Sequence, residues 1–365
     1  MHDNDKNKEF FYELLQIALG QREALSRNPV EKDWVDLFEM SLKQAIAGVI
    51  IFALDKISKQ GVKPPMGVLY EWIGASEQIK SQNQIVNRRC VEITKYFADA
   101  GFRTCILKGQ GNALMYPEPL SRNSGDIDLW VEGSREVIHD FVVKRYPDAL
   151  DGSMHIEFPI FADTPVEVHY KPRYSSVPRY NQRLQAWFNR NAEAQFTNKV
   201  KLAESDTDYV CIPTATFNAV QQMSHIMGHF FVEGIGLRQF VDYFYVLKKL
   251  HSERYTEDFE KLFKDFGMLK FARGVMWVEQ EILGLGIEYL LVCPDEKLGK
   301  VILKEIEEGG NFGYHDQRYV GRDKNRLIRG AVDSYRLLKL ACYFPEEALW
   351  KIVRKVENQK WKIGR

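Results

Sequence analysis

Over most of its length the chain repeats its apolar residues at helical spacing, but between Thr104 and Tyr170 the period falls from about 3.6 residues to about 2. That switch limits the fold more than any other feature, because an alternating segment can satisfy its backbone only in a sheet. TCILK (104–108), DIDLWV (126–131), MHIEFPIF and PVEVHY read as strands, the last two joined by the turn-like ADTP into a hairpin. GNALMY (111–116) and SREVIHDFVVKRY (134–146) read as helices between them, the second capped by Ser134. Helical spacing holds on both sides: upstream from Asn7, with Asp33 as N-cap of one helix through Ile57, a break at Pro64 and Pro65, and a helix from about Ser76 to Ala100, ended by Gly101; downstream from Thr214, with a last stretch from Arg326 to Lys360. The expected fold is α+β: a small mixed-sheet core, residues 76–212, between helical regions 1–75 and 213–365.

At 365 residues the chain has material for two or three units. Fifty basic and fifty acidic residues leave no net charge, which disfavours a long nucleic-acid groove, although KNRLIRG from Lys324 could form a local basic patch. The five cysteines are scattered and contain no CxxC pair, so neither a zinc site nor a disulfide framework is expected. The N-terminus lacks the apolar core of a signal peptide, and the longest apolar run, Ala45 to Leu54, is too short to span a bilayer. A cytoplasmic, reduced protein without a membrane anchor is the expectation.

The chemistry concentrates in DIDLWV. Residues two apart on a strand share a face, so Asp126, Asp128 and Trp130 point one way while Ile127, Leu129 and Val131 pack the other. Two like charges on one face of a strand suit shared cations, and paired divalent metals bridged by carboxylates serve in-line phosphoryl displacement. PVEVHY offers a third carboxylate, Glu167, which shares a face with His169 and meets the aspartates if the strands are neighbours. All-oxygen ligands favour Mg²⁺, two ions in this arrangement, with Mn²⁺ an alternative. Upstream, ILKGQGNALMY combines a strand, a glycine turn and a helix start, a geometry that offers backbone N–H groups to phosphate, with Lys108 as a point charge. Arg122 lies close enough in sequence to reach the same phosphates with a forked guanidinium.

In this order and spacing the motifs resemble the nucleotidyltransferase superfamily, the DNA polymerase beta-like fold. The nearest likeness is to an uncharacterised bacterial nucleotidyltransferase family with a K-G…R…D-I-D pattern, and a more distant one is to the abortive-infection toxin transferases. The likeness is specific from about Ile106 to Tyr170. It implies that Asp126 and Asp128 are the two metal-binding aspartates, and that Glu167 binds metal and takes the proton of the attacking hydroxyl. It also implies that Lys108, Gly109, Gln110, Arg122 and Ser124 hold an NTP, ATP among the candidates, with the flanking helices forming the acceptor side of the cleft. One departure stands out: the superfamily has Gly-Ser after its first strand, and here Gln110 follows Gly109.

Further signals are read conservatively. His225 and His229, four apart on a helix, lack the glutamate of a zinc-protease motif, so helix packing is the first expectation and substrate contact by His225 the second. Arg238 and Asp242 suit an intrahelical ion pair, or an arginine closing over a nucleotide. GGNFG (309–313) reads as a helix connection. Two rivals to nucleotidyl transfer are a catalytically silent relative that binds a nucleotide or a partner, and a D-x-D glycosyltransferase. The second would need alternating strands and helices before its motif, where this chain has helices.

Overall fold

The computed structural model describes residues 3–202, 208–316 and 326–363. The side chains of KNRLIRG lie outside the described residues. Four helices come first: α1 (Asp3–Ala18), α2 (Glu31–Lys43), α3 (Ala47–Ser58) and α4 (Met66–Asp99). Asp33 is not the N-cap of α2. It occupies the third helical position, and its carboxylate accepts from the backbone N–H of the N-cap Val30 at 2.9 Å, the reach-back half of a capping box. The helix expected from Asp33 to Ile57 is two helices, broken where Ala45 takes φ 54°. Buried Gln44 explains the break: its amide donates to the Ile306 carbonyl and accepts from the Leu237 N–H, both at 2.9 Å, bonds that a continuous helix would not direct there.

Helix α4 starts directly after Pro65 and runs 34 residues, so the expected boundary between residues 75 and 76 falls inside it. Its end is a Schellman motif. Gly101 sits at φ 85°, Phe102 N–H donates to the Phe97 carbonyl and Gly101 N–H to that of Ala98, while the two phenylalanine rings pack 6.0 Å apart.

The core follows as β1 (Thr104–Leu107), α5 (Gly109–Ala113), β2 (Ile127–Val131), α6 (Arg135–Val143), β3 (His155–Glu157) and β4 (Val166–His169). Ser134 caps α6 as expected, its hydroxyl accepting from Val137 N–H. The strands form a mixed sheet of order β1-β2-β4-β3, with β2 and β4 parallel and both outer pairs antiparallel. The hairpin is present, though β3 stops at Glu157, short of Pro159, which has no N–H to give a ladder. On one face Ile127, Leu129, Val131 and Val168 pack against α4 and α6 through Phe97, Cys90, Ile138 and Val142, each buried aliphatic side chain contributing about 1.5–3 kcal/mol. On the other, Trp130 packs against Phe196 and Phe217, with ring centroids 4.5 and 5.7 Å away.

Next come α7 (Pro178–Arg190), α8 (Ala192–Thr197) and a ribbon of β5 (Lys199–Lys201) with β6 (Tyr209–Cys211). The C-terminal helices are α9 (Ala215–Val232), α10 (Leu237–Ser252), α11 (Phe259–Asp265), α12 (Leu269–Glu281), α13 (Glu296–Gly309), α14 (Arg326–Ala341) and α15 (Pro345–Ile363). The last stretch is thus two helices, parted near Pro345, where proline starts a helix more readily than it continues one. The α+β expectation holds. Among the described residues no helix is long and apolar enough to cross a membrane.

Candidate active site

The parallel pairing of β2 and β4 sets Asp128 opposite Glu167 and Trp130 opposite His169. Since Asp126 lies two residues before Asp128 on the same face, the strand register alone draws three carboxylates together. Oxygen atoms of Asp126, Asp128 and Glu167 all lie within 4.8 Å of one another. Asp128 is buried, Glu167 half-buried and Asp126 exposed.

The surroundings treat the three acids differently. Asp128 Oδ2 is 2.8 Å from Lys108 Nζ, and its Oδ1 is 2.8 Å from His169 Nε2. Burial alone would push the Asp128 pKa up, yet these two neighbours hold it well below the usual carboxylate range. Glu167 lies 3.1 Å from His155 Nδ1 and 3.3 Å from His169 Nε2. Its burial is outweighed chiefly by His169, so its pKa falls as well. His169 is buried, which lowers its pKa, but its contacts with Asp128 and Glu167 outweigh that and raise it. Asp126 has no such partner beside it, and the Asp128 charge, followed by desolvation, pushes it up to about 6. The set is therefore two ionised acids and one that titrates close to neutrality.

These groups line the floor of a cleft of about 780 Å³. Its far wall comes from α9 and α10, and its mouth from Phe312, Gly313 and Tyr314. GGNFG is therefore more than a helix connection. Phe312 adopts φ 52°, a region that favours glycine, and lays its ring 5.3 Å from the Arg238 guanidinium. None of the helices α1 to α4 reaches the cleft. Their contribution is support: Asn83 of α4 donates to the Leu120 and Arg122 carbonyls, and Gly48 of α3 lets the Ser121 carbonyl approach to where a Cβ would stand 2.3 Å away.

The family model described as uncharacterised nucleotidyltransferase matches residues 30–284. The chain belongs to that nucleotidyltransferase family. One solved structure, an antigenic nucleotidyltransferase-like protein from Paracoccidioides brasiliensis, is 10% identical with a TM-score of 0.33, covering 58% of this chain and 95% of its own. No curated protein matches.

In this member of the family the residues expected to hold a nucleotide separate into two groups. Lys108 and Gly109 line the cleft, and backbone at φ 52° and 40° turns the chain sharply there from β1 into α5. The first N–H groups of α5 have no partner within the helix. Gln110 does the opposite of what was expected: its buried amide donates to Asn83 and Asn87 of α4, away from the cleft. Ser124 is half-buried and does not line it. Arg122 does line it, but its fork is committed to Asp242, with Nε and Nη2 donating at 2.7 and 2.8 Å, and Tyr116 donates to the same carboxylate at 2.6 Å. Asp242 is thereby taken from Arg238, so the expected intrahelical pair does not form. Arg238 instead donates to the Asn123 carbonyl at 3.3 Å, and its buried Nε has no partner.

His225 faces the cleft, with Nδ1 3.3 Å from Lys108 Nζ. An ammonium can only donate, so His225 accepts there and carries its proton on Nε2. Burial, then the Lys108 charge, keeps it neutral. His229, likewise depressed by burial to about 4, packs edge-on against it and meets Glu233 at 2.8 Å. The two form no metal cluster among the described residues. His169, His155 and Arg173 are cleft residues to which no role was given from sequence. The signal for His169 was available, two residues after Glu167 on the same face. Arg173 had none.

Proposed function

We propose that the protein moves a nucleoside monophosphate from an NTP to an acceptor hydroxyl. Family membership supports nucleotidyl transfer in general, and one observation supports this specific form: three carboxylates from neighbouring parallel strands converge at the floor of a cleft beside the Gly109 turn. Their oxygen donors fit Mg²⁺, with Mn²⁺ next. A second trio, His155, Glu167 and His169, shares Glu167 but brings two imidazoles, which suit softer metals. Bound divalent cations would supply charge neutralisation for the α-phosphate and the departing pyrophosphate.

The remaining work belongs to the side chains. Lys108 neutralises Asp128 and makes no other carboxylate ion pair among the described residues, so it can turn its charge to phosphate when Asp128 is otherwise engaged. Arg238, which forms no carboxylate ion pair among the described residues, steadies the nucleotide's negative charge, and Phe312 beside it offers a ring face to the base. Glu167, ionised and held by two histidines, accepts the acceptor's hydroxyl proton. The acceptor oxygen then bonds to the α-phosphorus, the bond from that phosphorus to the bridging oxygen breaks, and pyrophosphate leaves with the electron pair. Catalysis on this scheme is positioning and electrostatic stabilisation.

A second reading, nucleotide binding without turnover, is favoured by Gln110, whose side chain gives phosphate nothing where the superfamily has serine. The D-x-D glycosyltransferase reading does not accord with the family. Incubation with each α-labelled NTP, Mg²⁺ and a cell extract separates the two that remain. Transfer of label to an extract component, lost in Asp128→Asn, is the expected result. Metal-dependent NTP binding with no labelled product would establish the silent reading.

A further inference from the structure

Arg173 lies four residues beyond the end of β4 and reaches the cleft wall at α9. Its guanidinium rests on Gly228, where a Cβ would stand 2.3 Å from Nη2 and 3.2 Å from Nε. A glycine inside a helix of 18 residues costs about 1 kcal/mol against alanine. Here its missing side chain is the bay that holds the guanidinium. Among the described residues Nε is buried in that bay without an acceptor, and Nη1 meets only the Met154 sulfur at 3.9 Å.

No carboxylate among the described residues forms an ion pair with Arg173. The acids whose charge it feels are engaged elsewhere: Asp128 with Lys108 and His169, Glu167 with His155 and His169, Glu233 with His229. Gln222, on the same wall, also has a buried amide nitrogen without an acceptor. Buried donors are nearly always satisfied in folded proteins, and a guanidinium fork and an amide that line the same cleft suit a phosphate or carboxylate.

The position tells which anion. Lys108 and Gly109, on the phosphate side, follow β1, whereas Arg173 follows β4, whose Glu167 is the proposed base. In the order β1-β2-β4-β3 the two strands lie two places apart, and because β1 runs antiparallel and β4 parallel to β2 they end at different levels, Leu107 opposite Asp128 and His169 level with Trp130, so the strand ends are separated by at least roughly 10 Å at ordinary strand spacing. We propose that Arg173 and Gln222 form an anion subsite for the acceptor, so that the acceptor is a hydroxyl compound carrying its own phosphate or carboxylate. This rests on the nucleotidyl-transfer reading above.

Binding of inorganic phosphate to the full chain tests it, measured calorimetrically with and without saturating α,β-methylene analogues of ATP, GTP, CTP and UTP in Mg²⁺. Phosphate should bind the analogue-saturated protein. Arg173→Gln should weaken phosphate at least tenfold and change analogue binding less than twofold. Gly228→Ala, which displaces the guanidinium and favours the helix, should do the same, and it carries the test if Arg173→Gln fails to fold. Phosphate that binds only without the analogue, or analogue binding that falls in parallel with phosphate, would assign Arg173 to the nucleotide and overturn the subsite. Analogue binding with no phosphate uptake overturns it too, leaving nucleotidyl transfer standing. Phosphate uptake lost in both variants, with no analogue bound by the wild type, would remove nucleotidyl transfer and the acceptor assignment while keeping the anion site.

Discussion

Asp126 illustrates how little sequence separates two carboxylates in different surroundings. Both aspartates of DIDLWV were legible as a charged strand face, yet Lys108 and His169 take Asp128 alone and leave Asp126 near pKa 6. An acid whose folded value lies above its ordinary 3.8 favours the fold when protonated. The metal-free protein should therefore lose this contribution as pH rises from about 4 through about 6, and Asp126→Asn should remove that part of the pH dependence. Divalent binding has the opposite sign: it requires the carboxylate, so affinity should weaken below pH 6, as titrations at pH 5 and 7.5 would show. Glu279 carries a related prediction outside the cleft. It is fully buried, both oxygens lack a partner among the described residues, and burial pushes its pKa well up. Its contribution falls as pH rises above 4.5, by up to about 1.4 kcal/mol per unit. Denaturant midpoints of Glu279→Gln should accordingly gain on wild type from pH 5 to 8; parallel curves would contradict the buried neutral acid. Helical spacing puts Glu279 on the apolar face of LKFARGVMWVEQE, four residues after Val275 and three after Met276, but its residue type pointed the other way, because a charged residue on such a helix ordinarily faces water.

Among the elements, the strands were readable because alternation and register are properties of the local chain. The pairing that matters most, Asp128 with Glu167, needed only β2 and β4 to be neighbours. Long-range side-chain bonds were not readable. Asp242 had a local partner in Arg238, but the buried fork of Arg122 and the Tyr116 hydroxyl reach it from the loop before β2, and one bidentate contact plus a third donor outweigh one intrahelical pair. Gln44 likewise broke a helix whose own periodicity was continuous. The Arg122–Asp242 bond ties the loop leading to Asp126 onto α10, so Asp242→Asn should leave a buried guanidinium uncompensated and cost about 3–5 kcal/mol. Chemical denaturation would measure it, and a loss below 1 kcal/mol would mean that the pair is not what joins the sheet to the C-terminal helices.

For the whole molecule, the sheet stands between two helical layers with unequal duties. Helices α4 and α6 seal its apolar face, while α9 and α10 face the carboxylates across the cleft. Of the two flanking helical regions only the C-terminal one lines the cleft among the described residues, because the N-terminal helices buttress the loop from behind. Composition could not reveal this, since helices on either side of a sheet look alike until the charged face is located. A ligand that binds only the folded cleft stabilises it by mass action, about 2.7 kcal/mol at a hundredfold excess over Kd. Mg²⁺ with an α,β-methylene NTP should raise the melting temperature of the wild type and leave that of Asp128→Asn unmoved. The most direct measurement is Mn²⁺ binding followed by electron paramagnetic resonance on wild type and on the Asp126→Asn, Asp128→Asn double variant, each with saturating analogue. The account predicts that the protein holds Mn²⁺ with the nucleotide and that the double variant weakens it more than tenfold; equal Mn²⁺ affinity in the two proteins would contradict it.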